Sequence, residues 1–287
     1  MSKTLELSDG NYPQLLSEIK NPPKKLYYQG TLDKKIFKTC LAVVGTRKMT
    51  DYGEEITEKF VSPIARAGVT IVSGFMYGID TVAHRACLES GGRTIAVLGC
   101  GIDLVRPVVN QDLHRQILKN KGLIVSELLG KHPPFRWTFV RRNRIISGLS
   151  RAILVVEAGE KSGALITAEF AKKQRRKVLA IPGPVTSAVS KGTSCLIKQG
   201  AKLVSSPDDV LLELGVSLDN KGKNSNQNRI VNEKEQKILA LLKEKRLLID
   251  EIARGLDKPV GQVGQLISMM TLKGLIKQDG QGRCYVN

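Results

Sequence analysis

The chain has 287 residues, 41% of them hydrophobic, which is enough for one large domain and a small one with substantial cores. Lys and Arg number 45 against 27 Asp and Glu, and most of this positive excess lies in residues 1–216. The excess favours a nucleic acid as partner over a merely solvated basic surface. Five cysteines without a CxxC pair, and apolar runs too short for a membrane span, argue against zinc sites, disulfides and membrane insertion and predict a soluble cytoplasmic protein.

Residues 1–40 are expected to form an irregular strap against the main domain. Pro13, Pro22 and Pro23 interrupt any helix there. The cluster Leu26-Tyr27-Tyr28 supplies apolar surface with which the strap can pack. This lead-in therefore belongs to the fold that follows it.

From residue 41 onward, short apolar runs alternate with longer amphipathic stretches. Strands are predicted at 41–44, 69–72, 94–98, 123–126, 153–156 and 177–181, and helices at 51–67, 79–90 and 110–120. This alternation is typical of βαβ units with a mostly parallel sheet. Residues 41–216 are therefore predicted to form an α/β domain with a Rossmann-like, doubly wound sheet.

The composition changes at residues 217–232, where Asn, Lys, Gly and Ser dominate and predict a flexible linker. Three helices and a terminal hairpin are then expected within 233–287, the arrangement of a small winged-helix domain. The third of these helices, at 259–272, has no basic residue in its interior. This favours partner binding or dimerisation over reading of the DNA major groove.

Glycine-bearing turns follow several predicted strands and would open onto one edge of the sheet. They are Gly45-Thr46-Arg47, Ser73-Gly74 leading to Gly78, and Ser162-Gly163. Helix N-termini at such an edge present unpaired backbone N–H groups that favour anions. Thr46 and Arg47 could bind a phosphate through hydroxyl and guanidinium, although an exposed loop arginine would explain them equally, and Ser162 would also serve as an ordinary helix cap.

The segment 135–152 contains five arginines and no acidic residue. Phe135, Trp137 and Phe139 lie among these arginines. A small-molecule site needs one or two basic groups, whereas several arginines among aromatic rings are typical of a surface that binds phosphates and stacks bases. A solvated helix face with buried aromatics is the alternative.

Motifs for cofactors and catalysis are weak. Gly99-Cys100-Gly101 lacks the third glycine of a dinucleotide fingerprint, and no GxxxxGK[ST] motif occurs, so neither NAD nor another cofactor is expected. Asp80, Glu127 and Glu157 are expected to orient arginines and loops, because no nucleophile–base pair is evident.

Several longer stretches together resemble the DNA-processing protein A (DprA/Smf) family. They are GTR at 45–47, SGFMYGIDTVAHRACLESGGRTIAVLGCGID at 73–103, RRNRIISGLS at 141–150, VVEAGEKSGALITAEFAKKQRRKVLAIPG at 155–183 and GTSCLIKQGAKLV at 192–204. Because independent motifs occur in the family's order, the resemblance is specific.

The resemblance implies a dimeric protein that binds single-stranded DNA without sequence preference and loads the RecA recombinase during natural transformation, without catalytic turnover. By position, Arg47 and the Arg142-Asn143-Arg144 cluster would hold the DNA backbone, and the glycine turns would complete an anion pocket. The residues expected to bind DNA are Gly45, Thr46, Arg47, Ser73, Gly74, Gly78, Arg141, Arg142, Asn143, Arg144, Ser162, Gly163 and Thr167.

Two other functions are considered. A nucleotide-binding enzyme of the phosphoribohydrolase type shares the strand-end anion pocket, but its PGGxGT-x-x-E motif is missing from the corresponding turn at 160–164. A transcription regulator built on the winged helix would need a more basic third helix than 259–272 provides.

Overall fold

A computed structural model describes residues 2–216, 233–244, 246–272, 275–278 and 282–286. The chain divides into two compact units, Met1–Gly222 and Lys223–Asn287. The linker predicted at 217–232 lies outside the described residues. None of the described helices is long and apolar enough to cross a membrane.

The first unit alternates strands and helices along most of its length. In chain order its elements are β1 Lys3–Glu6, α1 Gln14–Ser17, β2 Lys25–Gly30, β3 Cys40–Val44, α2 Asp51–Arg66, β4 Thr70–Ser73, α3 Ile79–Glu89, β5 Thr94–Val97, α4 Gln111–Lys119, β6 Leu123–Ser126, α5 Arg136–Gly148, β7 Ala152–Val155, α6 Gly163–Lys173, β8 Lys177–Ala180, α7 Lys191–Lys198, β9 Lys202–Leu203 and α8 Pro207–Leu214. The six predicted strands correspond to β3 through β8, each within one residue at either end.

These strands form one nine-stranded sheet in the order β1-β2-β6-β5-β4-β3-β7-β8-β9. In that order, the seven strands β6-β5-β4-β3-β7-β8-β9 run parallel to one another. The chain winds outward from β3 to β6 on one side and from β7 to β9 on the other. The predicted α/β class and doubly wound, mostly parallel sheet are therefore confirmed, and the direction of winding switches between β3 and β7.

Both faces of the sheet are buried, as a parallel sheet with helices on each side requires. Along β3, Cys40, Ala42 and Val44 pack into one apolar cluster, whereas Leu41 and Val43 pack into another on the opposite face. This alternation follows from the two-residue period of a strand. It fixes the strand ends, and hence the site, in a rigid frame.

The lead-in is more regular than the sequence predicts. Its segments β1 and β2 pair antiparallel, and β2 continues the sheet by pairing antiparallel with β6, with Tyr27 opposite Ser126. The expectation of an irregular strap is therefore wrong for these segments. Leu26 and Tyr28 are both buried, so residues 26–28 belong to a strand with one buried face.

The second unit contains α9 Glu233–Glu244, α10 Ile249–Leu256, α11 Val260–Leu272, β10 Ile276–Gln278 and β11 Cys284–Val286. The two strands pair antiparallel, and Leu247 bridges to Cys284. Ile238, Ile252 and Ile267 belong to a separate apolar core. The element order agrees with that expected for a winged helix, an assignment that stays a prediction.

Candidate functional site

A cavity of about 840 Å³ opens at the carboxyl ends of β3 and β7, where the winding of the sheet changes direction. In open α/β sheets this crevice is the usual place for a ligand. Two acidic residues, Asp80 and Glu160, line it together with six basic ones: Arg47, Lys48, Arg136, Arg142, Lys161 and Lys191. The lining therefore favours an anionic ligand.

The turn after β3 holds Arg47 at the cavity wall. A Cβ on Gly45 would lie 2.4 Å from Cγ1 of Ile79, so only glycine fits there. The N–H of Thr46 donates to the carbonyl of Glu157 at 2.8 Å, and its hydroxyl accepts from the N–H of Lys48 at 3.1 Å. Gly45 and Thr46 thus shape the turn, and Arg47 is the residue of the three whose exposed side chain is available to a ligand.

Phe139 lies close to two guanidinium groups at this wall. Its ring centroid is 5.2 Å from Cζ of Arg47 and 5.9 Å from Cζ of Arg142. Cation–π attraction to a shared ring offsets part of the repulsion between the two arginines. The result is an aromatic face flanked by positive charge.

Arg142 is buried, with 6% of its surface exposed, and holds the ends of two strands. Its Nη1 donates to the carbonyls of Gly74 and Val97, and its Nε donates to Oδ1 of Asn143 at 3.2 Å. Burial lowers the pKa of Arg142 to about 10, and nearby Asp80 opposes the shift, so the guanidinium stays charged at neutral pH. The sequence predicts a phosphate ligand here, but most donors of Arg142 are occupied by the protein and its charge is buried in the cavity floor.

Arg141 and Arg144 lie on another side of α5 and do not line the cavity. Nε and Nη2 of Arg141 each donate to Glu127 at 2.9 Å, and Nη2 of Arg144 donates to the same carboxylate at 2.6 Å. Successive helical residues are rotated by about 100°, so 141 and 144 share a face that 142 and 143 do not. The structure therefore places Arg142 and Asn143 at the cavity and Arg144 beside Glu127, and the binding of DNA by these three residues stays a prediction.

The turn after β4 supports the site from behind. Ser73 is buried and its hydroxyl donates to the carbonyl of Val43 at 2.7 Å. Gly78 has φ of +73°, and a Cβ there would lie 2.4 Å from the carbonyl oxygen of Thr46. Ser73, Gly74 and Gly78 are absent from the cavity lining, and their part in the anion pocket stays a prediction.

The start of α6 forms the opposite wall. The hydroxyl of Ser162 accepts from the N–H of Ala164 at 3.3 Å, which makes it the helix cap, and Nδ2 of Asn143 donates to the carbonyl of Gly163 at 3.3 Å. Ser162, Gly163 and Thr167 all line the cavity. The positive end of the helix dipole therefore adds to the basic side chains.

The candidate acids orient other groups, as predicted. Glu157 accepts from the N–H and the hydroxyl of Thr50, at 3.0 and 2.6 Å, and so fixes the start of α2. Asp80 accepts from the N–H of Met76 at 3.3 Å, and burial raises the pKa of its carboxyl. No cluster of three potential metal ligands occurs in the part of the chain that the structure describes.

The Gly99-Cys100-Gly101 turn serves the fold. The N–H of Gly101 donates to the carbonyl of His132 at 2.8 Å, and the next two amides donate to the same loop. These amides are thus unavailable for a dinucleotide phosphate.

Sequence reasoning missed Lys48, Lys161 and Lys191 as cavity residues. They follow β3, β7 and β8, whose carboxyl ends share one edge of the sheet. A search for basic residues after every predicted parallel strand would have found them.

Known proteins resemble this chain closely over the first unit. Residues 3–215 match the family model for DNA recombination-mediator protein A. Protein Smf of Synechocystis sp. is 46% identical over 210 residues, which cover 72% of this chain and 52% of the relative. Protein Smf of Escherichia coli is 44% identical over 207 residues, covering 72% and 55%. The chain thus spans about half the length of these relatives.

Solved structures give the same result. DNA processing protein A from Streptococcus pneumoniae superposes with a TM-score of 0.69 at 41% identity and covers 74% of either chain. The Helicobacter pylori protein, solved to study its single-stranded DNA binding mode, gives 0.67 at 31% identity and covers 75% of this chain and 95% of that one. By sequence and by fold, the chain belongs to the DNA recombination-mediator protein A (DprA/Smf) family.

Proposed function

We propose that this chain binds single-stranded DNA without sequence preference in the cavity between β3 and β7. The observation that carries the proposal is the ring of Phe139 beside Arg47 and Arg142, in a cavity lined by six basic residues. Support also comes from the Helicobacter pylori relative, which binds single-stranded DNA.

The chemistry of the cavity favours a single strand over a duplex. Phosphates would be held by Arg47, Arg136 and the start of α6, where positive charge and helix dipole coincide. An unpaired base can stack on Phe139, whereas a base inside a duplex has no exposed face to offer. Because every base has a π-face, such contacts do not distinguish sequences.

The physiological role proposed for this binding is recombination in the cytoplasm. A strand held by its backbone can be transferred to a recombinase of the RecA type, and the family description of recombination mediator supports this step. A homodimer would lengthen the DNA track. The helix α11 contains no basic residue, which favours a partner-binding or dimerising role for the second unit.

Binding without turnover is proposed over a nucleotide-cleaving activity. The two buried acids nearest the cavity, Asp80 and Glu157, already accept hydrogen bonds from the protein. If the purified chain released adenine from AMP, the enzymatic alternative would replace this part of the proposal.

The binding proposal is tested with labelled oligo-dT and its duplex over a series of salt concentrations. The wild-type chain should prefer the single strand, and log K should fall with log salt at a slope of roughly −0.7 for each phosphate neutralised. Arg47→Ala should weaken binding about tenfold and reduce the slope by about 0.7, since one charge-assisted contact is lost.

Arg66→Ala is the matched control. Arg66 is exposed at the last turn of α2, which begins beside the cavity, so it lies roughly 22 Å from the site at the opposite edge of the sheet. The Arg66→Ala variant should bind oligo-dT with the affinity of the wild-type chain. Equal binding by Arg47→Ala and wild type would contradict the proposed site.

A further inference from the structure

An exposed aromatic cluster lies outside the cavity at the start of α5. The rings of Phe135 and Trp137 are parallel within 4°, with centroids 6.4 Å apart, and His132 packs edge-on against both. Phe135 is 48% exposed and Trp137 is 51% exposed. Phe135 and Trp137, named the aromatic platform below, thus present large flat surfaces to solvent.

The aromatic platform is held rigidly. Thr138, between the cluster and the sheet, is buried; its hydroxyl donates to the carbonyl of Gly99 at 2.5 Å and accepts from the N–H of Phe135 at 3.0 Å. These bonds join the first turn of α5 to the turn after β5. A stacking partner would therefore meet rings carried on an ordered backbone, so little backbone entropy would be lost on binding.

The charge around the aromatic platform is positive. No Asp or Glu occurs between Glu127 and Glu157, a stretch that includes Lys131, Arg136 and Arg141. Arg136 is exposed and makes no ion pair with any residue in the described ranges. A partner that fits this surface combines flat apolar groups with negative charge, which is the chemistry of a nucleic-acid strand.

The aromatic platform adjoins the cavity through Arg136. Arg136 and Phe139 line the cavity, while Trp137 lies about 100° further around the same helix and lines a small depression beside Glu127 and Arg141. Around the helix axis Arg136 lies between Phe139 and Trp137, about 60° from the first and about 100° from the second. A strand that leaves Phe139 would pass the guanidinium of Arg136 before it reaches Trp137.

We propose that Trp137 and Phe135 form a second base-stacking subsite, which binds an unpaired nucleobase of the strand whose phosphates lie in the cavity. This inference rests on the proposed function, because the cavity must hold the same strand. The ligand class is an unpaired purine or pyrimidine base linked to its neighbour by a phosphodiester at Arg136.

The chain provides its own probe, because Trp137 is its single tryptophan. Labelled oligo-dT is titrated with the full chain while label anisotropy and tryptophan fluorescence are recorded. Stacking on Trp137 should quench its fluorescence in step with the rise in anisotropy. An abasic oligodeoxynucleotide of equal length should raise the anisotropy with much less quenching.

Each outcome separates the two proposals. Anisotropy without quenching by oligo-dT would overturn the second subsite and leave the cavity proposal intact. Equal quenching by the abasic strand would also overturn it, since stacking requires bases. No rise in anisotropy would overturn the proposed function, and the subsite with it.

Variants give an independent readout. Trp137→Ala should weaken oligo-dT binding about tenfold while the salt slope stays unchanged, because stacking neutralises no phosphate. Trp137→Phe should recover most of the affinity. Leu212→Ala, which removes an exposed apolar side chain from α8, is the control and should bind like wild type. Wild-type affinity in Trp137→Ala would overturn the inference.

Discussion

The arginines on different sides of α5 meet very different partners. Toward the cavity floor, Arg142 is enclosed by backbone carbonyls and by the ring of Phe139. On the other side, named the Glu127 face and formed by Trp137, Arg141 and Arg144, the two arginines share one carboxylate. The residues adjoin in sequence, yet one is part of the core and another is half exposed.

This difference shows that the role of an arginine depends on what accepts its hydrogen bonds. Carbonyls at strand ends cannot release Arg142 without becoming unpaired, so its charge is fixed in place. Arg141 shares the carboxylate of Glu127 with Arg144 and, being 51% exposed, keeps spare donors that a phosphate could use. The Glu127 face is therefore the adjustable part of the basic surface.

The largest effect is expected for Arg142→Met. Methionine fills similar volume but leaves the carbonyls of Gly74 and Val97 without a donor and removes the stronger of the two cations that act on Asp80, so the free energy of unfolding should fall by about 3 kcal/mol. Urea denaturation followed by circular dichroism measures this.

Arg47→Ala is the matched comparison for stability. Its side chain is exposed, so the free energy of unfolding should change by no more than about 0.5 kcal/mol even though DNA binding falls. If Arg142→Met unfolded at the same urea concentration as wild type, the bonds from Arg142 to the ends of β4 and β5 would not stabilise the fold.

Much of the fold follows from local sequence patterns. Strands β3 through β8 are short apolar runs between turns, and their ends were predictable because burial on both faces requires such runs. The pairing of β2 with β6 was not, because residues about a hundred positions apart meet there and no local signal in 25–30 specifies the partner. The nearby prolines suggest irregular structure, whereas burial at every second residue, Leu26 and Tyr28, is the pattern of a strand with one buried face.

The site was predicted only in outline. The sheet edge and Arg47 follow from strand–turn order, but the separate orientations of Arg142 and Arg144 depend on helical phase and on Glu127, which precedes them by 15 or more residues. A helical projection of residues 136–144, with 100° between successive residues, would have placed Arg142 and Arg144 on different sides of α5. That Gly45 packs on Ile79 could not be predicted, because it depends on how α3 sits over β3.

Glu127→Gln tests whether the Glu127 face is adjustable, and its effect should be smaller. Loss of the carboxylate frees Arg141 and leaves the half-buried Arg144 with a weaker acceptor, so stability should fall by about 1 kcal/mol. Affinity for oligo-dT should rise a few-fold with a steeper salt slope, since one negative charge is removed and the exposed guanidinium of Arg141 becomes available. Unchanged affinity and slope would mean that the strand does not approach this face.

Glu169→Gln provides the control for that gain. Glu169 pairs with Lys173 at 2.7 Å on the exposed side of α6 and does not line the cavity. Its substitution therefore makes the same change in charge away from the cavity. A purely global charge effect would raise affinity equally in both variants. A gain confined to Glu127→Gln would assign it to Arg141 and Arg144.

The smallest effect is expected for Arg141→Ala. Two of its donors are already bound to Glu127 and its side chain is 51% exposed, so the pair contributes little to stability and the cost should stay below about 1 kcal/mol. Affinity for oligo-dT should fall by less than about threefold, because Glu127 keeps Arg144 as its partner. Arg115→Ala, an exposed arginine paired with Asp112, is the control in the same titration. If Arg141→Ala reduced affinity as much as Arg47→Ala, the strand would contact the Glu127 face as strongly as the cavity, and the two sides of α5 would form one site.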